Sequence, residues 1–306
     1  MSRSWKLLFT VLFLSLIVIW LAVFSTSSKD LKVISCNVGQ GDASLIVYKN
    51  YEILIDGGPN NRVLDCLSKY MPFWDREIEI VVLTHPQADH FTGLISVFEH
   101  YKVDKFLANS LDSSSQSYSM LKSLVGSANT EVVNPVKGMV VMMNMIQLDI
   151  LHPSSEFLAD NSSLINTPKN NMNNGINVLG YTKSSRDAND FSVIALLHFG
   201  SFNFLFTGDI SKGILDDLAL DPALVKEKPI NYIKIPHHGS KSALSTVFYN
   251  VINPKFAVIS VGKNSYGQPS SEIINMLKER NIYVYRTDEI GDIVIKSDGK
   301  NIWVDK

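Results

Sequence analysis

Cysteine is scarce in this chain: Cys36 and Cys66 are the only two among 306 residues. A scaffold that depends on several disulfides is excluded, and so is a cysteine-ligated structural zinc, because the pair lacks any metal-type spacing. The expectation is two buried free thiols, Cys36 on the first strand and Cys66 in the first helix. Export of the domain would leave a bridge open as the alternative. Net charge is equally scarce, at −2 with a pI near 6.4, which argues against gripping nucleic acid by bulk electrostatics. Any polyanion contact has to be local, and Lys234, Lys241 and Lys263 either provide it or form a solvated rim. No internal repeat at a short fixed period exists, so a solenoid is not indicated. What is present is apolar residue in quantity: 45% hydrophobic against 19% charged, enough for one sizeable core.

The N-terminus lacks a polar face. Residues 7–24 form an unbroken stretch of 18 apolar or small hydroxyl residues, long enough to span a bilayer. A buried core helix would show a polar stripe, and a cleavable signal has an apolar core of only about 7 to 15 residues. A signal anchor is therefore favoured, with cleavage near Ser25-Thr26-Ser27-Ser28 as the alternative that would release a secreted domain. Arg3 and Lys6 on the short side keep that end in the cytoplasm and send the rest outward. The chain thus divides into an anchor at 1–28 and a folded domain at 29–306, placed at the cell membrane as a single-pass, extracytoplasmic protein.

Within the domain, the β-branched run 78–83 reads as a buried strand, and 92–100 has helical spacing. Between them lies Thr84-His85-Pro86-Gln87-Ala88-Asp89-His90, a loop at the carboxyl end of a strand, where ligand sites of open α/β sheets lie. Imidazole and carboxylate converging within six residues suit a borderline metal such as zinc. Three further strand ends carry matching groups: Asp56-Gly57-Gly58, Thr207-Gly208-Asp209 and Pro236-His237-His238-Gly239-Ser240. Asp42, in the glycine turn Val38-Gly39-Gln40-Gly41-Asp42, reads as a turn carboxylate. His152, before Pro153 at a strand end, reads as a polar rim residue rather than a ligand. Helices are expected over 61–70, 115–125, 211–220 and 271–280. The segments 131–133, 139–143 and 146–151 read as consecutive antiparallel strands. Residues 154–186, rich in Asn and Ser, read as a mobile flap or an insertion without regular structure, and the composition is equally compatible with disorder that has no function.

Taken together, Asp-Gly-Gly, His-x-x-x-Asp-His, Thr-Gly-Asp and His-His-Gly-Ser resemble the metallo-β-lactamase superfamily. Val38 to Asp42, Asn189-Asp190-Phe191-Ser192 and Tyr266-Gly267-Gln268-Pro269 narrow the resemblance to the hydrolase domain of ComEC-type competence proteins, over residues 31–304. The resemblance implies a four-layered αβ/βα sandwich with the site at the sheet edges. It implies one or two divalent ions, zinc or manganese, held by His85, Gln87, Asp89, His90, Asp209 and His237 or His238, with His237 slightly preferred. Asp89, Asp56 and His85 take the catalytic roles, Asp56 by orienting a ligand histidine, and Asp42, whose turn lies near the active-site face in that family, is a secondary candidate. Asn189, Ser192, Ser240, Lys241 and Gln268 are the candidates for holding substrate, a phosphodiester such as nucleic acid. The chain departs from the family at Gln87 and Gln268, which stand where histidines are usual. An amide oxygen is a poor zinc ligand and a better one for manganese or magnesium. One metal position is therefore weakened, while Asp89, His90, Asp209 and a histidine of the pair complete the other. Two functions follow: a membrane-anchored metal-dependent hydrolase, or a degenerate relative that binds a polymer or partner without cleaving it. A true β-lactamase is a weaker third.

Overall fold

The computed structural model describes residues 3–25, 30–165, 179–226 and 229–305, with backbone alone at 19 and 21–25. Asn170 to Gly175 of the polar stretch and the Thr26-Ser27-Ser28 segment lie outside the described residues.

Helix α1 (Arg3–Ser25) comes first. The domain then builds one eight-stranded sheet and one seven-stranded sheet. The first contains β1 (Leu31–Ser35), β2 (Ser44–Tyr48), β3 (Tyr51–Ile55), β4 (Glu77–Leu83), β5 (Lys102–Ala108) and β6 (Glu131–Val133). The second begins with β7 (Val140–Met143) and β8 (Ile146–His152). After a two-stranded pair, β9 (Ser163–Leu164) and β10 (Thr182–Lys183), it continues through β11 (Ile194–Phe199), β12 (Phe202–Phe206), β13 (Tyr232–Lys234), β14 (Phe256–Ile259) and β15 (Tyr283–Arg286). Strands β16 (Ile293–Ser297) and β17 (Ile302–Asp305) return to the first sheet beside β1.

Burial explains the layering. Along β3, Ile53 and Ile55 face the second sheet while Leu54 faces outward, the period of two that a strand imposes. The inward set meets Leu148, Leu197, Phe204 and Tyr232 in a core between the sheets. The outward set of the first sheet packs under α2 (Arg62–Tyr70), α3 (Ala88–His100) and α4 (Gln116–Ser127). A short α5 (Ser155–Asn161) precedes the two-stranded pair. The second sheet is covered by α6 (Lys212–Ala219), α7 (Pro222–Lys226), α8 (Thr246–Ile252) and α9 (Ser271–Glu279), and α10 (Thr287–Ile290) is a single turn before β16. The result is the expected helix, sheet, sheet, helix order.

Four expectations need correction. Glu131–Val133 is not antiparallel to its successors; it pairs in parallel with β5 at the edge of the first sheet. Helix α3 starts at Ala88, so Asp89 and His90 stand on its first turn and not in a loop. The stretch 154–186 carries α5 and the two-stranded pair in its described parts. Cys36 and Cys66 are joined by a disulfide, their Cα atoms 5.8 Å apart, because the chain after β1 runs against α2. For the N-terminus, no helix among the described residues is long and apolar enough to cross a membrane. The described side chains of α1 are nevertheless exposed and largely apolar, Leu7, Phe13 and Val18 among them.

Candidate metal centre

Every sequence-derived site motif arrives at the same end of the sandwich. Strands β3 and β4 run in parallel, as do β12 and β13, so their carboxyl ends deliver Asp56, His85, Asp209 and the His237-His238 pair side by side. Helix α3 can approach because two glycines face each other. A Cβ on Gly93 would lie 2.0 Å from the carbonyl oxygen of Gly57, so only glycine lets the helix settle on the Asp-Gly-Gly turn.

Four donor groups converge there. Side-chain atoms of Asp89, His90, Asp209 and His238 all lie within 4.8 Å of one another. Asp209 Oδ2 is 3.3 Å from both His90 Nε2 and His238 Nε2, and Asp89 Oδ2 is 3.2 Å from His238 Nε2 and 4.0 Å from His90 Nε2. A tetrahedral ion with bonds of about 2.0–2.1 Å has ligand atoms about 3.3–3.4 Å apart, so three of these four edges already match. His90 Nε2 is buried and aligned with no hydrogen-bond partner, as a nitrogen meant for a cation would be.

The opposite ring nitrogens fix the tautomers. His90 Nδ1 lies 2.8 Å from Asp56 Oδ2, and His238 Nδ1 lies 2.8 Å from the Ser260 carbonyl oxygen. Each ring thus donates from Nδ1 and turns its Nε2 to the carboxylates of Asp89 and Asp209, where a bound ion would take the place of the Nε2 proton, the usual orientation of a ligating imidazole. Asp56, at φ 60°, also accepts from the Thr84 amide and hydroxyl. It touches His90 and orients it.

The choice within the histidine pair falls on His238, correcting the preference for His237. Both residues have a φ of 51°, and this left-handed turn sends the two rings in different directions. His238 is buried in the cluster, whereas His237 is half-buried, with Nδ1 3.1 Å from Ser242 Oγ. Its amide still donates to Asp209 Oδ1.

His85 lies beside the four. Its Nδ1 is 3.0 Å from Thr84 Oγ1 and 3.3 Å from Ser192 Oγ, its ring centroid is 4.1 Å from that of His90, and its Nε2 is buried without a partner. Gln87 occupies the position before α3, half-buried, and its side chain makes no capping hydrogen bond.

The candidate substrate residues are mostly engaged by the protein. Ser192 Oγ accepts from the Asp209 amide and faces His85, so it steadies the centre. Gln268 is tied at both ends of its amide, accepting from Gln40 Nε2 and donating to the His237 carbonyl. Lys241 pairs with Glu272, and Ser240 caps the turn that follows it. Asn189 keeps a buried Oδ1 without a partner. His152 is buried and bonded to the Asp190 carbonyl through Nε2, away from the cluster. It is an interior residue, not a rim one.

Two residues matter more than their sequence suggested. Lys234, 3% exposed, places Nζ 3.0 Å from both Asp209 Oδ1 and the Gly208 carbonyl and forms an ion pair with Asp42. Asp42 is therefore part of the centre rather than a turn carboxylate alone, with Oδ1 3.4 Å from His238 Nδ1. The signal was available: a single lysine inside the apolar strand β13 needs a buried counter-charge.

The electrostatics follow from this crowding. Burial disfavours the charged form of His90, but Asp209 and Asp56 outweigh it and hold its pKa well above the usual value. The same contest, won by Asp209 and Asp42, raises His238 to about 10. His85 goes the other way, lowered to about 3 by burial and by the neighbouring His90. Burial would raise Asp209, yet Lys234, His238 and His90 hold it well below the ordinary carboxylate range. The centre is a cluster of carboxylates whose charge Lys234 and the two imidazoles offset.

Comparison with known proteins bears on the fold and the family. Residues 36–116 match the model of the Metallo-beta-lactamase superfamily. Among curated proteins, the ComE operon protein 3 of Bacillus subtilis is 23% identical over 220 residues, 71% of this chain and 24% of that protein. The competence protein ComA of Neisseria gonorrhoeae is 31% identical over 110 residues, 34% of this chain and 15% of that protein. The chain thus spans a quarter or less of the length of these relatives. Among solved structures, the metallo-beta-lactamase fold protein YhfI of Bacillus subtilis aligns with a TM-score of 0.53 at 11% identity, covering 88% of this chain and all of that one. CmlA of Streptomyces venezuelae, a diiron beta-hydroxylase, aligns at 0.51 and 12% identity, over 89% of this chain and 55% of its own.

Proposed function

The chain belongs to the metallo-β-lactamase superfamily as a relative of the ComEC-type competence proteins, and from that premise we propose that it is a membrane-anchored, metal-dependent hydrolase of phosphodiesters, nucleic acid included. The observation that carries the reading is the convergence of Asp89, His90, Asp209 and His238 within 4.8 Å, with the Nε2 of His90 lacking a hydrogen-bond partner. A divalent ion held by these four would supply a Lewis acid and bring the pKa of water towards neutrality. Zinc suits the two imidazoles and two carboxylates, and manganese suits a set extended to Gln87.

The protein's own groups have separable tasks. Asp56 and the Ser260 carbonyl hold the rings of His90 and His238 in the ligating tautomer. Lys234 neutralises the side of Asp209 that faces away from the cluster. His85, with Nδ1 turned to hydroxyl groups and its pKa lowered so that the ring stays neutral, offers one unshared nitrogen that can contribute to a second, weaker ion with Gln87.

Anchoring through α1 rests on its exposed apolar side chains and on Arg3 and Lys6 at its start. The Cys36–Cys66 bridge favours an extracytoplasmic domain, since disulfides persist in oxidising compartments. A phosphodiester is favoured because one of the similar proteins, that of Neisseria gonorrhoeae, is a competence protein. The rival reading, a binder without catalysis, draws on Gln87 and on Gln268, whose amide is committed to Gln40 and His237. The deciding experiment is hydrolysis of a chromogenic phosphodiester by the purified full chain before and after chelation. Chelator-sensitive turnover that returns with zinc or manganese supports the enzyme; no turnover under either ion transfers the reading to the binder.

A further inference from the structure

The metal centre and the point where the domain joins its N-terminal helix lie at opposite ends of the sandwich. Lys32 pairs with Val47 and Ser35 with Ser44, so Ser35 points to the site end and Leu31 lies at the far end beside Tyr48. Strand β4 runs parallel to β3, so the loop 71–76 that feeds it opens at this same far end. The tip of the β7–β8 hairpin is there too, because Tyr48 Oη donates to Met145 Sδ at 3.1 Å.

That end is apolar where it has no structural need to be. Phe73 is 77% exposed and Trp74 45%, their rings edge to face at 4.7 Å, and Met145 is 53% exposed. Large apolar side chains exposed together mark a contact surface. The turn residues around them, Lys49, Lys300, Asp75 and Asp298, are of mixed sign, so the surface selects an apolar partner rather than a charged one. Covalent geometry then names the partner. Six residue steps separate Ser25 at the end of α1 from Leu31, a reach of at most about 20 Å.

We infer that Phe73, Trp74 and Met145 form a membrane-resting surface that seats in the headgroup region of the bilayer and points the metal centre away from it. The inference rests on the anchored reading of α1. An aromatic pair with a polar indole nitrogen is the side-chain type that settles at such an interface. The contact is apolar and is expected to persist at high salt.

The test uses the full chain in phosphatidylcholine vesicles. Flotation through an alkaline wash reads the anchor by itself. The emission of Trp74, taken as the difference between the chain and its Trp74→Phe variant, is then measured with brominated phosphatidylcholine. A matching probe, Tyr266→Trp, sits in the loop beside the site at a position 77% exposed. The expected result is loss of most Trp74 emission, unchanged at high salt, with the Tyr266→Trp emission retained. A chain that floats while Trp74 stays bright, or one in which both probes dim equally, overturns the inference and leaves the anchor standing. Bright Trp74 in a chain that cross-links to a second copy overturns it in favour of a dimer contact. A chain that fails to float overturns the anchor and this surface with it.

Discussion

At the scale of single residues, the centre is decided by which atoms are left bare and which are held. Spacing could say that a histidine of the 237–238 pair reaches the cluster, but not which one. Two successive left-handed residues settle that, and backbone handedness leaves no mark in a His-His dipeptide. Lys234 was more legible than its reading as a rim residue allowed, because burial of an ammonium in β13 requires the carboxylates it meets. Replacing it tests this. Lys234→Met leaves Asp42 and Asp209 buried without their counter-ion, an expected loss of about 3–5 kcal/mol in thermal or urea unfolding. Adding Asp42→Asn to that variant is expected to recover part of the loss; an unchanged or deeper loss would show that the pair is not coupled. Asp56→Asn keeps the shape but weakens the hold on His90, with metal affinity expected to fall about 10- to 100-fold by isothermal titration.

The titration of the histidines has its own consequence. In ion-free protein the raised pKa values of His90 and His238 keep both rings protonated at neutral pH, so a divalent ion has to displace those protons. Metal affinity is therefore expected to rise with pH across neutrality, with protons released on binding. Stability of the ion-free protein runs the opposite way. The folded pKa of His238, about 10, lies above its ordinary value of 6.5, so its stabilising contribution is full below about pH 6.5 and is lost as pH climbs through 10. Melting curves of ion-free protein should fall over that range and those of ion-loaded protein should not. Equal slopes would contradict the assignment.

At the scale of elements, patterns confined to one element were readable and those set by a neighbour were not. The β-branched run of β4 and the amphipathic α2 carry their own signatures, and the sequence placed both within a residue or two. The three-residue β6 carries too little pattern to say which sheet it joins, and it went to β5 in place of its sequence neighbours. The cysteine pairing was hidden for the same reason, since only packing brings residues 36 and 66 together. Closing a 30-residue separation is expected to contribute about 3–4 kcal/mol, read as a fall in melting temperature when full-length protein is reduced. No fall on reduction would mean that the bridge constrains nothing. Gly93→Ala, by forcing α3 off the Asp-Gly-Gly turn, is expected to lower stability by about 1–3 kcal/mol and metal affinity with it.

At the scale of the whole molecule, the sequence order of strand-end motifs carried the architecture. Two sheets face each other, helices cover both outer faces, and one end collects the carboxylates and imidazoles while the opposite end receives the chain from α1. Under the proposed anchoring, that polarity would leave the site end as the open working edge. The chemistry depends on whether four side chains hold an ion. The most direct measurement is metal content per chain, by inductively coupled plasma mass spectrometry, for the full-length protein and for His90→Ala after equal exposure to zinc and desalting. One tightly held ion in the parent, removed by chelator and absent from the variant, is the expected result. An ion-free parent, or a variant that keeps the ion as well as the parent does, would contradict it.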